Sequence, residues 1–305
     1  MTNALLADIG GTNARFAFLG SDGIAGAIIR LQTNAYASVE QALADVLHDR
    51  QKPDRLIIAA AGPVEHGVCT LTNAGWRIDA GAIAREFSLP SVQLLNDLEA
   101  VGHALPYLGP CESQRIGGPE SAVGPRLVIG IGTGIGTALW TGPAAVIACE
   151  GGQTNWASNL PEEAAALQHL ADQQGYLPVE KVLAASAIST LYNAFNPGLD
   201  PISPEAVIAR RDTDRAAADT LHLFTRMLGR YAGDAALQTG AKGGVFLVSN
   251  MLNHWGQALD RAALQRSFTG KGKFHGYLDG IPLRLVITPD PAFTGLAALA
   301  RTGER

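Results

Sequence analysis

Two glycine-rich turns, Asp8-Ile9-Gly10-Gly11-Thr12-Asn13-Ala14-Arg15 and Gly130-Ile131-Gly132-Thr133-Gly134-Ile135-Gly136, constrain this chain more than any other feature. Apolar runs flank each turn and read as strands, so each predicts a β-hairpin with glycine at its tip. Such a tip leaves several backbone N–H groups able to face phosphate oxygens, because no Cβ blocks the approach. Two of them in one chain point to a duplicated nucleotide-binding fold whose two backbone clamps close on one phosphate-bearing ligand. A ligand-free tight turn uses the same residue types, but Asp8 before the first turn and Arg15 after it favour the phosphate reading. Thr12 and Asn13 add side-chain donors, Arg15 brings charge to neutralise phosphate, and Asp8 is placed to hold water around Mg²⁺. The second turn has the spacing of a dinucleotide fingerprint, but that motif needs a helix directly after the glycines. Thr137–Thr141 and Val146–Ile147 read instead as extended chain. With no lysine-bearing P-loop either, the hairpins and a separate adenosine site are expected to hold the nucleotide.

Length and composition allow such a duplication. The 305 residues, 47% hydrophobic and 17% charged, are those of a globular protein with room for two cores. A net charge of −5 with no basic run argues against a nucleic-acid surface. The apolar stretches are glycine-broken and well short of the roughly 20 residues that span a bilayer. The N-terminal residues enter a strand without the pattern of a signal peptide. Cys69, Cys111 and Cys149 are odd in number and widely spaced, and they read as reduced thiols of a cytoplasmic protein. The seven histidines have no ligand-type spacing, so no metal-binding side chains are assigned.

The first half reads as strands Ala4–Ile9, Ala14–Leu19 and Ile24–Leu31, helix Val39–Leu47 capped by Ser38, strands Arg55–Ala61 and Val68–Thr72, helix Ala80–Phe87, strand Val92–Leu95 and helix Leu98–Leu105. The second half restarts with strands Leu127–Ile131, Thr137–Thr141 and Val146–Cys149. Helices follow at Glu162–Gln174, Val179–Ala184, Ile188–Ala194 and Thr213–Thr239. Strand Gly244–Val248 runs into a helix from Met251, and strand Leu283–Ile287 precedes a last helix, Phe293–Arg301. Asp97 follows the carboxyl end of a strand, where ligands bind in open α/β sheets. It is the candidate general base for phosphoryl transfer to a hydroxyl, with helix capping as the competing role. Asn96, Glu150, Gln153 and Glu180 form a polar set suited to a polyhydroxyl ligand. Glu150 is set in a glycine loop, and Glu180 is on a helix.

With those residues in place, the chain resembles bacterial glucokinases of the hexokinase-like, actin-type ATPase superfamily. The resemblance runs through Asp8–Arg15, Ala61-Gly62-Pro63, Thr72-Asn73 with Trp76, Leu95-Asn96-Asp97, Gly130–Gly136, Glu150-Gly151-Gly152, Glu180-Lys181-Val182-Leu183, Gly243-Gly244-Val245-Phe246, Lys271-Gly272-Lys273-Phe274 and Asp290–Gly295. The sugar-kinase branch with a cysteine-rich zinc motif is excluded, because no such cluster exists. The resemblance implies an α/β, duplicated ribonuclease-H-like (actin/hexokinase-type) two-domain fold with a central cleft. Residues 1–103 with 290–305 would form the small domain and 104–289 the large one, closing when sugar binds. It implies ATP-dependent phosphorylation of glucose at its 6-hydroxyl with Mg²⁺, with Asp97 as base. Asn73, Asn96, Asp97, Glu150, Gln153 and Glu180 would meet the sugar. Asp8, Gly10, Gly11, Thr12, Asn13, Arg15, Gly132, Thr133 and Gly134 would meet the phosphates, with Ser249 and Asn250 at the adenosine site. A homodimer is also implied.

The sequence departs from the family pattern around both pockets. Gln153 stands where the family has histidine, Asn155 where it has aspartate, and Ser249-Asn250 where it has a Gly-Gly pair. Ala184-Ala185-Ser186-Ala187 replaces Ser-Gly-x-Gly, and Asn73-Ala74-Gly75-Trp76 lacks the bulkier polar residues between asparagine and tryptophan. These changes keep two other readings open, a kinase for another hexose or hexose derivative, and a non-catalytic sugar-sensing protein.

Overall fold

The computed structural model describes residues 3–71, 75–143, 145–158, 161–167, 170–171, 175–198 and 200–302. Two compact units emerge: Met1–Leu108 with Gly142–Ala148 and Asp290–Arg305, and Gly109–Thr141 with Cys149–Pro289.

In the first unit, β1 (Ala4–Ile9) and β2 (Asn13–Phe18) make the first hairpin, followed by β3 (Ile29–Gln32) and α1 (Val39–Leu47). Then come β4 (Arg55–Ala60), the small hairpin of β5 (Val68–Thr70) and β6 (Arg77–Asp79), α2 (Ala80–Glu86), β7 (Ser91–Asn96) and α3 (Asp97–Ala104). The sheet order is β3–β2–β1–β4–β7, with β1, β4 and β7 mutually parallel. Parallel strands covered on both faces read as unbroken apolar runs, and every residue of β1 is buried. Val39, Ala42, Leu43 and Val46 give α1 one buried face at helical spacing. Its Ser38 cap accepts from Gln41 N.

The second unit contains β8 (Ser113–Gly117), β9 (Arg126–Ile131) and β10 (Ile135–Gly142) up to Thr141; β11 (Ala145–Cys149) comes next in the chain, with Ala145–Ala148 counted in the first unit. Helices α4 (Pro161–Leu167), α5 (Val179–Leu183), α6 (Ala187–Phe195), α7 (Pro204–Arg210) and α8 (Arg215–Thr239) lead to β12 (Gly244–Val248). Helices α9 (Asn250–Trp255), α10 (Arg261–Thr269) and α11 (His275–Asp279) precede β13 (Leu283–Val286). The second sheet has the order β11–β10–β9–β12–β13–β8. Helix α8 is capped by Asp214, which accepts from Ala216 N at 2.9 Å, and it stops at Gly240, whose φ of 64° no other residue type adopts as readily. Arg230 of α8 pairs with buried Glu163 of α4 through two contacts of 2.6 and 2.7 Å. The chain ends in α12 (Pro291–Thr302), which belongs to the first unit.

Two secondary-structure expectations are corrected in detail. The strand expected from Ile24 begins at Ile29, because Gly20 N donates to Ile24 O at 2.8 Å and Ile24 N to Asp22 Oδ1 at 2.9 Å, closing a turn around Asp22-Gly23. The helix expected over Glu162–Gln174 is described over Pro161–Leu167, and residues 168–169 and 172–174 of that expectation lie outside the described residues. The first unit runs on to Leu108 and includes Gly142–Ala148, where Val146 lies so close over Gly102 of α3 that an added Cβ there would stand 2.6 Å from its Cγ1. Among the described residues no helix is long and apolar enough to cross a membrane.

Candidate active site

The first unit places Asp97 where β7 stops and α3 begins. Asn96, and not Asp97, is the helix cap: its Oδ1 accepts from Leu98 N at 2.9 Å and Glu99 N at 3.3 Å. Glu99 reaches back to Asn96 N, completing a capping box. Asn96 Nδ2 donates to Gly62 O at 3.0 Å, so little of this side chain remains for a ligand beyond one amide N–H. Asp97 stands at the first helical position and shares the Leu98 amide with Asn96, accepting from it at 2.8 Å through Oδ1. Burial pushes its carboxyl up to about 6, with the negative charge of Asp8 as the second cause. A carboxyl poised there is ionised at neutral pH yet basic enough to take a hydroxyl proton in a transition state.

Asp8 is the penultimate residue of the buried strand β1, and its carboxylate pairs with Arg15 across the hairpin. Arg15 also donates to Asp290 at 2.6 Å, and Arg30 of β3 donates to the other oxygen of Asp290 at 2.8 Å. Arg15 is thus paired with two carboxylates and keeps Asp8 fixed. Burial still holds the Asp8 carboxyl above its usual range, against the pull of Arg15. The turn itself is held by Thr33, whose N donates to Thr12 O at 2.9 Å and whose Oγ1 donates to Gly10 O at 3.1 Å. Asn13 Oδ1 accepts from Gln32 Nε2 at 2.9 Å. Gly10 and Gly11 lie at the hairpin tip, with Thr12 and Asn13 exposed beside them. Asn73 lies outside the described residues. Nearby Trp76 is buried and donates to Tyr36 O at 3.2 Å.

The second unit carries the second turn. Gly132 N donates to Gly134 O at 3.0 Å, closing it, and Gly132 and Thr133 are exposed. An added Cβ at Gly132 would meet nothing within 4 Å, and its φ is not positive, so neither packing nor backbone shape explains the glycine. Glu150 is exposed in the loop after β11. Thr137 of β10 fixes that loop from both sides of Glu150: its Oγ1 donates to Cys149 O at 3.0 Å and accepts from Gly151 N at 3.1 Å. Gln153 is exposed, and its carbonyl accepts from Tyr176 Oη at 2.7 Å. Asn155 takes a structural part, accepting from Leu177 N at 2.9 Å. Glu180 does not project from a solvated helix face; its Oε2 accepts from Ile135 N at 3.0 Å.

Ser249 is buried, and its hydroxyl caps α9 by accepting from Leu252 N at 3.2 Å, while Asn250 is exposed beside it. The serine that departs from the family pattern thus serves its own helix. A cavity of about 770 Å³ in this unit is lined by Gln114, Leu252, Asn253, Leu259, Arg261 and Ile287 among others, and by none of the expected site residues.

Among the described residues no group of three His, Cys, Asp or Glu side chains forms a metal cage. Mg²⁺ is commonly held by one or two carboxylates together with substrate phosphates. The donor set of Asp8 and Asp97, two carboxylates close enough that one raises the other, fits that mode. The sequence did not single out Thr33, Thr137, Arg30 or Asp290 as site residues. Their roles come from partners far along the chain, so no local motif marks them.

Residues 5–303 match the Glucokinase family model. A glucokinase of Nitrobacter hamburgensis is 32% identical over 308 residues, covering 97% of this chain and 96% of that protein. The crystal structure of a glucokinase from an Antarctic psychrotroph superposes with a TM-score of 0.87 at 28% identity, covering 99% of each chain. A ROK-family glucokinase from Streptomyces griseus, solved with glucose and AMPPNP, shares the fold at a TM-score of 0.64 and 16% identity, covering 99% of this chain and all of that one. With the two glycine hairpins on two sheets and Asp97 at a strand's carboxyl end, these matches show that the chain belongs to the glucokinase family.

Proposed function

We propose that Asp97 is the general base in the ATP-dependent phosphorylation of glucose that membership of this family assigns to the chain. The observation that carries this is the carboxyl of Asp97, placed after the end of β7 and pushed up to about 6, with Asn96 as the helix cap. In this reading it accepts the proton of the 6-hydroxyl as that oxygen attacks the terminal phosphoryl group, and the nucleoside diphosphate leaves. Glu150, held by Thr137, accepts hydrogen bonds from sugar hydroxyls, with Gln153, Asn73, Glu180 and the remaining amide N–H of Asn96 as further partners. The tips at Gly10–Asn13 and Gly132–Gly134 present backbone N–H groups to the phosphates, and α9 with Ser249 and Asn250 borders the adenosine. Mg²⁺ bound with the nucleotide supplies charge neutralisation at the phosphates. Asp8, locked by Arg15, and Asp97 are the carboxylates that would face it. A cytoplasmic homodimer belongs to the same reading.

The test is Asp97→Ala in a coupled assay with MgATP and glucose. Loss of a positioned base costs roughly 10²–10⁴ in rate. Turnover should fall by at least that factor while glucose binding, followed by calorimetry, persists. Turnover within tenfold of the parent would remove Asp97 from the mechanism.

A further inference from the structure

The side chain of Glu180 leaves α5 toward the second glycine turn and takes the Ile135 amide at 3.0 Å. Fit there is close: a Cβ on Gly134 would stand 2.3 Å from Glu180 Oε2 and 3.1 Å from its Cδ, so Gly134 must be glycine for the carboxylate to reach its place. Just past α5, Ala185 N donates to Gly132 O at 2.9 Å. The turn is therefore pinned at its start by a backbone contact and at its end by one side chain. Both walls are rigid, since Ile135, Val182 and Leu183 are buried in the core of this unit. The turn's own amides sort accordingly. Gly132 N is spent on Gly134 O and Ile135 N on Glu180, which leaves Thr133 N and Gly134 N without a protein acceptor among the described residues.

We infer that Glu180 is a positioning residue for the second glycine turn, clamping Ile135 so that the amides of Thr133 and Gly134 are aimed at a nucleotide phosphate. This rests on the reading that the turn binds phosphate. It gives Glu180 a role toward the nucleotide in addition to any contact with sugar. A carboxylate is an odd choice beside a polyanion, since its charge opposes the ligand. What the position needs is an acceptor oxygen at that reach. Glutamine offers one; aspartate, one methylene shorter, and alanine do not.

Calorimetry of the full-length protein with the magnesium complex of a non-hydrolysable ATP analogue, in the absence of sugar, tests this. Glu180→Ala and Glu180→Asp should each weaken binding by about tenfold, the worth of one charge-assisted hydrogen bond. Glu180→Gln should bind within about threefold of the parent. Hydrogen exchange at the Ile135 amide should accelerate in the alanine and aspartate variants and stay slow in the glutamine variant, a readout that needs no activity. If the alanine and aspartate variants bind the analogue as the parent does, the inference falls while the phosphate reading stands. Failure of the parent itself to bind would defeat the phosphate reading and the inference with it.

Discussion

In the proposed mechanism Asp97 would trade stability for chemistry. Its carboxyl is raised to about 6 in the fold, from an ordinary value of 3.8. Between those two values the folded chain holds a proton that the unfolded chain has released. Stability contributed by this group is therefore present at low pH and lost as pH rises through about 6. A rise of that size corresponds to about 3 kcal/mol. Asp97→Asn removes the charge and keeps an acceptor for Leu98 N. It should unfold in urea with about 2–3 kcal/mol more stability than the parent at pH 7.5, the gain vanishing near pH 4, with turnover lost. Equal stability at pH 7.5 would mean that no buried charge is penalised there. The place of Asp97 after a strand's end and the two glycine hairpin tips were legible in the sequence because each is contained in a run of a few residues. The working contacts of Ser249, Asn96 and Glu180 were not. Whether an oxygen meets a ligand or its own helix depends on which backbone amide folds beside it, as Leu252 N does for Ser249 and Ile135 N for Glu180. The commitment of Arg15 to Asp290 lies 275 residues away and has no local trace.

At the scale of elements, two glycines separate folding from ligand binding. Gly295 lets α12 press onto α3: a Cβ there would stand 1.8 Å from Ala100 O and 2.9 Å from Ala104 N, all backbone atoms that cannot swing aside. Gly132 at the second turn has open space around it. Gly295→Ala should therefore cost about 3 kcal/mol or more by denaturant unfolding, the upper end for overpacking. Gly132→Ala should change stability by less than about 0.5 kcal/mol and instead weaken binding of the ATP analogue. The reverse pattern would show that the helix contact is loose or that the turn is structural. Elements were easiest to read where periodicity and caps agree, as in α1 with Ser38 and in β12. Short pieces such as β6 and β8, and helices α7, α10 and α11, gave too few residues or too little contrast for a period to show. The close fit of Val146 over Gly102, which ties Gly142–Ala148 to the first unit, is a tertiary contact with no sequence mark.

For the whole molecule, the first unit is completed only by the last residues of the chain. Helix α12 buries Phe293, Leu296, Ala297 and Ala300, packing against α3, β1 and β4. Both its ends are tied to that unit. Asp290 before it binds Arg15 and Arg30, and Arg55 donates to the carbonyls of Leu299 and Ala300 at 3.3 and 3.4 Å, where the helix dipole favours a cation. Arg301 adds a hydrogen bond to Gly23 O and lies over the Tyr107 ring at 5.3 Å. Burial of Phe293 and Leu296 alone is worth about 3–6 kcal/mol, against roughly 5–15 kcal/mol for the stability of a domain. The second unit owes nothing to these contacts, having its own core around Leu127, Phe224, Val245 and Leu264. A chain ending at Pro289 should therefore lose the first unit and keep the second. In hydrogen exchange, amides of β1, β4 and α3 should lose protection while those of β9, β12 and α8 retain it, with turnover abolished because Asp97 loses its frame. Protection kept across β1 and β4 in that truncated chain would show that the first unit folds without its C-terminal helix.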